Sequence, residues 1–181
     1  VRGSGPERVV GVQAPRATRS ALSPELIEAL PTALGAHAPL VGARPVLSDV
    51  GARWVLVELP HRAAVRNLVP EMERIAQLSR AAHGDGVAVF SFEPGQSIPL
   101  ELRAFAPGTG VPEDPVTGSA QAAVGDWLWS QGRLAAVGGA YEASQGAAVG
   151  RDGQVQVSSS AEGRIRVGGR CCALIRGAVE L

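Results

Sequence analysis

The stretch EDPVTGSAQAA (113–123) places two adjacent carboxylates and a proline directly before a run of small residues. Pro115 disfavours helical dihedral angles at the residue before it, so the following helix is expected to begin at Thr117 or Gly118. Thr117 is then a candidate N-cap residue. Two interpretations of the carboxylates stay open here. Either they cap the helix, or one of them moves a proton in a desolvated pocket.

The first turn of this helix is predicted to form an anion-binding site. Its backbone N–H groups have no partner within the helix, and they lie at the positive end of the helix dipole. Gly118 has no side chain that would obstruct a ligand, and the hydroxyl of Ser119 can add a hydrogen bond. A small carboxylate-bearing metabolite is therefore the expected ligand.

The rest of the chain predicts an α+β fold of mostly antiparallel strands interrupted by a few helices. Ser23 and Gly35 mark the ends of the first helix, which Pro31 should kink or split. The pattern shows no βαβ alternation and no glycine-rich nucleotide fingerprint. The predicted strands are 8–13, 44–50, 53–60, 86–93, 99–106 and a series of short strands from 141 onward, and the predicted helices are 23–35, 61–68, 70–82 and 118–132.

The composition excludes several classes of protein. Of the 181 residues, 45% are hydrophobic and 19% are charged, which is typical of a soluble globular protein. The 17 basic and 17 acidic residues balance without a basic block, which argues against nucleic-acid and anionic-membrane binding. No apolar run approaches the roughly 20 residues of a membrane-spanning helix. We therefore expect a cytoplasmic protein with neither kind of partner.

The cysteines and histidines predict neither a disulfide nor a metal site. Cys171 and Cys172 are neighbours in the apolar run CCALI, where strand alternation would place them on opposite faces as buried packing residues. The three histidines are scattered, without a cysteine or carboxylate at ligand spacing. No metal and no cofactor are expected.

Several features occur together in a characteristic order: Arg103 and Phe105 in RAF, the unbroken EDPVTGSA (113–120), Gln145-Gly146, and Gly150-Arg151. In this order they resemble the PhzF-like family, the phenazine-biosynthesis isomerases and their relatives, from about residue 9 to the end. The resemblance implies a diaminopimelate-epimerase-like fold with two pseudo-symmetric α+β domains. Each domain is a mostly antiparallel or mixed sheet wrapped round a central helix, and the active site lies in the cleft between them.

The resemblance also implies a function and a set of site residues. It implies a cofactor-independent isomerase or epimerase that moves protons by acid/base catalysis on a small carboxylate-bearing metabolite. Asp114 is the implied catalytic group, at the place where diaminopimelate epimerase carries a cysteine. Arg151 either anchors an anion or pairs with Asp152 or Glu142, and both interpretations stay open. The implied substrate-binding residues are Thr117, Gly118, Ser119, Gln145, Gly146 and Arg151.

The sequence departs from the family pattern in length. Family members carry a catalytic glutamate in a motif like SETTF and a Gly-His-Pro element in their first domain, and neither occurs here. We therefore expect a C-terminal half: a lead-in (1–8), the domain itself (9–176), and a closing strand (177–181) that can belong to the sheet of the missing N-terminal domain. The expected partners are that domain and, from the family, a second copy of the chain. The alternative is a truncated non-catalytic remnant that binds a small acid or a partner protein.

Overall fold

The computed structural model describes residues 9–36, 39–42, 44–172, 175 and 177–178, and within them the chain forms one ten-stranded sheet and four α-helices. The helices are α1 (Pro24–Leu34), α2 (Arg62–Arg66), α3 (Met72–Ala81) and α4 (Gly118–Ser130). The strands are β1 (Val9–Gln13), β2 (Thr18–Ala21), β3 (Val46–Asp49), β4 (Arg53–Glu58), β5 (Gly86–Phe92), β6 (Leu100–Ala106), β7 (Val111–Asp114), β8 (Ala140–Gln145), β9 (Gly153–Ser159) and β10 (Ile165–Arg170).

The sheet is mixed. Its order is β1-β10-β9-β8-β6-β5-β4-β3-β2, with β7 paired to β6 outside this path. Among the described strands, β4 and β5 pair in parallel through α2 and α3, and β6 and β8 pair in parallel across α4; the other neighbours are antiparallel. The expectation of no βαβ alternation was therefore wrong. Parallel neighbours need a long crossover, and here helices supply it.

The sheet is strongly curled, because its two edges are consecutive in the chain. The nine strands of the path would span about 38 Å if the sheet were flat, at about 4.8 Å between neighbouring strands. The edge strands β1 and β2 are nevertheless joined by residues 14–17, which together with the flanking bonds reach at most about 18 Å. The sheet must therefore bend until its edges approach one another.

Helix α4 lies inside this curl. Every residue from Ala120 to Leu128 is buried, as expected for a helix surrounded by protein. Its apolar side chains pack with inward-facing residues of β4, β5, β6, β8, β9 and β10 in one hydrophobic core. Gly125 permits the close approach, because a Cβ there would lie 2.9 Å from Val157 Cγ1 and 3.2 Å from Ile165 Cγ2. The prediction of a mixed sheet wrapped round a central helix is confirmed.

The other three helices cover part of the outer face of the sheet. Alternate residues of β4 and β5, together with Phe105 of β6, form a second core with α1, α2 and α3. Val55 and Val87 face this second core, whereas Leu56 and Ala88 face α4. The two helical layers thus sandwich the centre of the sheet. No helix among the described residues has the length and apolar character needed to span a membrane.

A split of α1 at Pro31 and the burial of the two cysteines were wrong predictions, whereas a kink at Pro31 stays a prediction. Helix α1 is one helix that continues through Pro31, because only one intrahelical hydrogen bond is lost and the helix ends a turn later at Gly35, which has a left-handed conformation (φ 56°). Cys171 and Cys172 are exposed rather than buried. Strand β10 ends at Arg170, which pairs with Val9 at the beginning of β1. The described residues after Arg170 form no strand. Most of the predicted closing strand (177–181) lies outside the described residues.

Candidate active site

The sheet register brings Asp114 and Gln145 together. Strands β7 and β8 lie along the same edge of β6, one after the other. Asp114 pairs with Ala104 and Gln145 pairs with Leu102, two residues apart on β6. Residues separated by 31 positions in the chain thus meet at the point where β7 passes into α4.

The two adjacent acids have different surroundings. Glu113 forms a bidentate ion pair with Arg103, whose Nε and Nη2 donate to the carboxylate at 3.0 and 2.8 Å. Both side chains are more than nine-tenths buried. The Arg103 guanidinium also donates to the carbonyl of Leu68 at 2.8 Å and lies 5.0 Å from the Phe105 ring centroid. Arg103 therefore holds the sheet to the α2–α3 connection, and Glu113 pairs with Arg103 rather than capping α4.

Asp114 is partly buried beside the N-terminus of α4. Its Oδ2 accepts a 2.8 Å hydrogen bond from the Thr117 hydroxyl, and its Oδ1 accepts a longer one, 3.4 Å, from the backbone N–H of Val116. Thr117 occupies the predicted N-cap position, but its hydroxyl makes no capping bond. Among the described residues, neither acid accepts a hydrogen bond from an N–H of the first turn of α4, so neither caps the helix by hydrogen bonding.

Gln145 is buried, and its side-chain amide is fully used by protein groups. Its Oε1 accepts from the Thr117 N–H and from Gln121 Nε2, both at 3.1 Å. Its Nε2 donates to the Asp114 carbonyl and to Thr117 Oγ1, both at 2.8 Å. These are all four hydrogen bonds that a primary amide makes. The structure thus places Gln145 behind the site and leaves it no free polar atom for a ligand.

Gly118 and Ser119 lie at the surface end of α4. Gly118 is exposed, and a Cβ at this position would have no atom within 4 Å. The Ser119 hydroxyl accepts a 3.0 Å hydrogen bond from the indole Nε1–H of Trp54. Because an indole can only donate, Ser119 keeps its own hydrogen for another acceptor. The geometry therefore suits a carboxylate at the helix end.

A cavity of about 310 Å³ adjoins this helix end. Gly118, Ser119 and Ala122 form its α4 side. The remaining lining is mostly apolar and comes from β1, the residues after it, the β3–β4 turn and β10: Val12, Gln13, Ala14, Pro15, Val50 and Val167. A small molecule with a polar end at α4 and an apolar body would fit this shape.

Gly146 and Arg151 pack near the loop that carries Asp114. Gly146 has a left-handed conformation (φ 94°), and a Cβ there would lie 2.7 Å from the carbonyl oxygen of Pro115 and 3.0 Å from Arg151 Cβ. Arg151 is exposed, and its guanidinium bonds only to the carbonyl of Gly150 among the described residues. Neither Asp152 nor Glu142 pairs with it. The anion-anchoring interpretation of Arg151 thus stays a prediction.

Sequence reasoning missed two contributors to the site. Trp54 orients the Ser119 hydroxyl from the distant strand β4, and Gln121 supports Gln145 from within α4. A polar residue inside a helical run of small apolar residues was a signal for Gln121. Nothing in the strand pattern around Trp54 identified its partner. In the part of the chain that the structure describes, no three His, Cys, Asp or Glu side chains come close enough to hold a metal ion.

Comparison with known families gives a match along almost the whole chain. The family model for phenazine biosynthesis-like proteins, PhzC-PhzF, matches residues 1–177. The chain belongs to the PhzC-PhzF family. The sequence resemblance carried by EDPVTGSA is thereby confirmed.

Curated relatives of this family member include proteins named as isomerases. An uncharacterized isomerase of Deinococcus radiodurans is 36% identical over 138 residues, which cover 73% of this chain and 44% of the relative. The antisense-enhancing sequence 1 protein of Schizosaccharomyces pombe is 35% identical over 137 residues, covering 74% of this chain and 45% of the relative. The matched segments cover less than half the length of these relatives.

Solved structures of similar fold include a member of the PhzF family and a predicted epimerase. A phenazine biosynthesis protein of the PhzF family from Bacillus anthracis superposes with a TM-score of 0.67 at 18% identity, covering 90% of this chain and 57% of that one. A protein from Pseudomonas aeruginosa described as a predicted epimerase gives 0.65 at 21% identity, covering 90% and 55%. At these identities the likeness shows the fold, and it confirms the predicted α+β class.

Proposed function

We propose that this PhzC-PhzF family member is the substrate-binding second domain of a cofactor-independent isomerase. It would bind a small carboxylate-bearing metabolite and take part in proton transfer between two of its carbon atoms, so that the composition of the metabolite does not change. The observation that carries the proposal is the mouth of α4. There an exposed Gly118 and a hydroxyl with a free hydrogen face a cavity of about 310 Å³. Asp114 does not line this cavity but is bonded to Thr117, the residue before Gly118.

Each group at the mouth has a defined role in this proposal. The N–H groups of the first turn of α4 and the Ser119 hydroxyl bind the substrate carboxylate, where the helix dipole favours negative charge. Asp114 exchanges a proton with the substrate. Arg151 lies on the neighbouring loop and supplies positive charge that offsets the approach of a carboxylate to Asp114.

A second catalytic group is expected to come from outside this chain. A proton shift between two carbons needs a donor and an acceptor within reach of the substrate. At the mouth of α4 the structure offers Asp114 for this chemistry, because Glu113 is bound to Arg103. The proposal therefore includes a complementary N-terminal domain, in agreement with relatives about twice the length of the match.

The test is a titration of the purified chain with a dihydro-hydroxyanthranilate-type acid, with and without the N-terminal domain of a longer family member. Binding is followed by calorimetry and isomerisation by absorbance. We expect binding in both cases and turnover only with the added domain. Asp114→Asn should abolish turnover while preserving binding. Absence of both binding and turnover in either case would favour the non-catalytic remnant.

Two serine variants on α4 refine this test. Ser119→Ala removes the hydroxyl at the cavity and should weaken acid binding by about tenfold, the effect of one hydrogen bond to a charged group. Ser130→Ala is the matched control, because its hydroxyl bonds to the Trp127 carbonyl at the opposite end of the same helix. Equal affinity in the two variants would contradict binding at the α4 mouth.

A further inference from the structure

The hydrogen bonds around Gln145 have directions that the backbone fixes. A backbone N–H can only donate and a carbonyl can only accept. The end of the amide that faces the Thr117 N–H must therefore be oxygen, and the end that faces the Asp114 carbonyl must be nitrogen. This choice also agrees with Gln121, whose Nε2 donates to the same oxygen. The orientation of the buried amide is thus unambiguous.

The orientation of Gln145 determines the direction of the next bond. Its Nε2 donates to Thr117 Oγ1, so that hydroxyl oxygen already serves as an acceptor. The hydroxyl hydrogen is then free to be donated, and the atom it meets is Asp114 Oδ2, at 2.8 Å. Gln145 donates to Thr117, and Thr117 donates to Asp114. In this arrangement Oδ2 must accept.

The two carboxylate oxygens of Asp114 are therefore unequal. A proton on Oδ2 would turn that oxygen into a hydroxyl, which accepts hydrogen bonds weakly, so the bond that Thr117 donates to it would be weakened or lost. Thr117 is only 5% exposed, so loss of that bond is costly. Oδ1 has one long bond, 3.4 Å from the Val116 N–H, and can gain a proton without disturbing the buried network.

We propose that Gln145 and Thr117 are positioning residues that hold Oδ2 of Asp114 as an acceptor and leave Oδ1 as the oxygen that exchanges the proton. The catalytic part of this statement rests on the proposed function. In the proposed step a substrate C–H bond breaks, its electron pair stays on the carbon framework, and the proton forms an Oδ1–H bond. That O–H bond breaks when the proton is given back to a substrate carbon and a C–H bond forms. The nearby charged groups are Glu113, which is paired with Arg103, and Arg151 on the loop that packs against Pro115.

The direct test observes the Thr117 hydroxyl proton by nuclear magnetic resonance in the chain without substrate. A buried hydroxyl that donates to a carboxylate should give a slowly exchanging signal. The signal should persist in Thr117→Ser and vanish in Thr117→Val. In Asp114→Asn the amide carbonyl should face Thr117 and its NH₂ group should take the Oδ1 position, so the hydroxyl signal should persist as well.

The decisive outcome is the behaviour of Asp114→Asn. Loss of the hydroxyl signal in this variant, with NH₂ protons facing Thr117, would overturn the inference, as would absence of the signal from the unsubstituted chain. If Asp114→Asn does not fold, the unsubstituted chain is acidified instead. The signal should then survive protonation of Asp114, which is followed by its side-chain carbon shift, and its disappearance at that step would equally overturn the inference.

Kinetics separate this inference from the proposed function. In the complemented enzyme, Thr117→Val should lower kcat by about tenfold to hundredfold with little change in KM, and Thr117→Ser should restore it. A rise of about tenfold to hundredfold in KM with no change in kcat would contradict a positioning role for Thr117. Absence of turnover from the unsubstituted complex would instead overturn the proposed function, while the hydroxyl experiment would still decide the arrangement around Asp114.

Discussion

Arg103 connects three parts of the molecule from one buried position. Its guanidinium binds the Glu113 carboxylate, packs over the Phe105 ring and donates a hydrogen bond to the carbonyl of Leu68. A buried ion pair stabilises little relative to apolar residues of the same volume, but removing one partner leaves a charge without compensation. Its effect on the fold is therefore best measured by breaking it.

Arg103→Met is expected to lower the free energy of unfolding by about 3 to 5 kcal/mol, because it leaves the Glu113 carboxylate buried and unpaired. Urea denaturation measures the loss. Arg74→Met is the control, since Arg74 and Glu71 form an exposed pair at 2.6 Å that should contribute at most about 1 kcal/mol. The double variant Arg103→Met, Glu113→Leu should recover part of the stability. Equal losses for the buried and exposed pairs would show that Glu113 is not desolvated.

The site residues differ in how far the sequence could predict them. The N-cap position of Thr117 and the open Gly118 follow from local rules about helix ends, so they could be read from EDPVTGSA. The pairing of Glu113 with Arg103 and the burial of Gln145 depend on which strands become neighbours. Local pattern does not contain this information, and for that reason Gln145 was placed with the ligand-binding residues.

At the scale of elements, α1 contains an internal proline. Pro31 follows two turns of regular helix and cannot donate a hydrogen bond to the residue four positions earlier. Pro24, in contrast, stands at the first helical position, where a missing N–H has no effect. The same residue type is thus destabilising at one position of the helix and neutral at the other.

Pro31→Ala is expected to raise the free energy of unfolding by about 1 to 2 kcal/mol, since the regained hydrogen bond exceeds the rise in unfolded-chain entropy. Pro24→Ala should leave it unchanged or slightly lower. Thermal and urea unfolding of the two variants provide the comparison. A loss of stability in Pro31→Ala would indicate that the proline ring makes a packing contribution larger than its backbone cost.

Strand β8 carries the single tyrosine of the chain against α4. The Tyr141 ring packs edge-on against Phe92, its hydroxyl has no hydrogen-bond partner among the described residues, and burial raises the pKa of the phenol above its ordinary value. The unfolded chain releases this proton near pH 10. The folded state holds the Tyr141 proton more tightly. The stabilisation that this provides to the fold is fully present below about pH 10 and is lost as the pH rises further.

We expect Tyr141 to ionise only when the chain unfolds in alkali. Ultraviolet absorbance of the phenolate should therefore change together with the circular dichroism of the fold, in one transition above about pH 10. Tyr141→Phe should fold normally and unfold at a higher pH. Phenolate absorbance that appears while the fold is intact would show that water reaches the hydroxyl.

The type of each element was easier to predict from this sequence than the pairing of the strands. Helix α4 and most strands were predicted because periodicity identifies element type. Strand β2 was missed because all four of its residues are exposed, so the period of two is not visible. The parallel pairs β4–β5 and β6–β8 were missed because pairing depends on the whole sheet.

At the scale of the whole molecule, the cavity at α4 opens beside the edge strand β1. Val12 of this strand is 70% exposed and lines the cavity. Exposed apolar residues at a cavity rim are typical of a surface that another protein segment covers. If a complementary N-terminal domain closes the site, the association of that domain with this chain should depend on Val12.

Val12→Asp is expected to weaken association with the added N-terminal domain by about tenfold or more, because a carboxylate would be buried at an apolar contact. Val69→Asp is the matched control, since Val69 is 71% exposed and lies between α2 and α3, in the layer opposite α4. Calorimetry with both variants decides the point. Similar affinities would remove the β1 edge from the proposed interface.

The curl of the sheet has a consequence for synthesis of the chain. Val9 pairs with Arg170, so β1 cannot find its neighbour until β10 has left the ribosome. Until then Val157 of β9 and the flank of α4 around Gly125 lack the cover that Ile165 provides. Contacts this distant in sequence form slowly, and a nascent chain with an open apolar seam is prone to aggregate. The same closure that encloses α4 thus gives the nascent chain an interval, before β10 emerges, in which its apolar surface is open to aggregation.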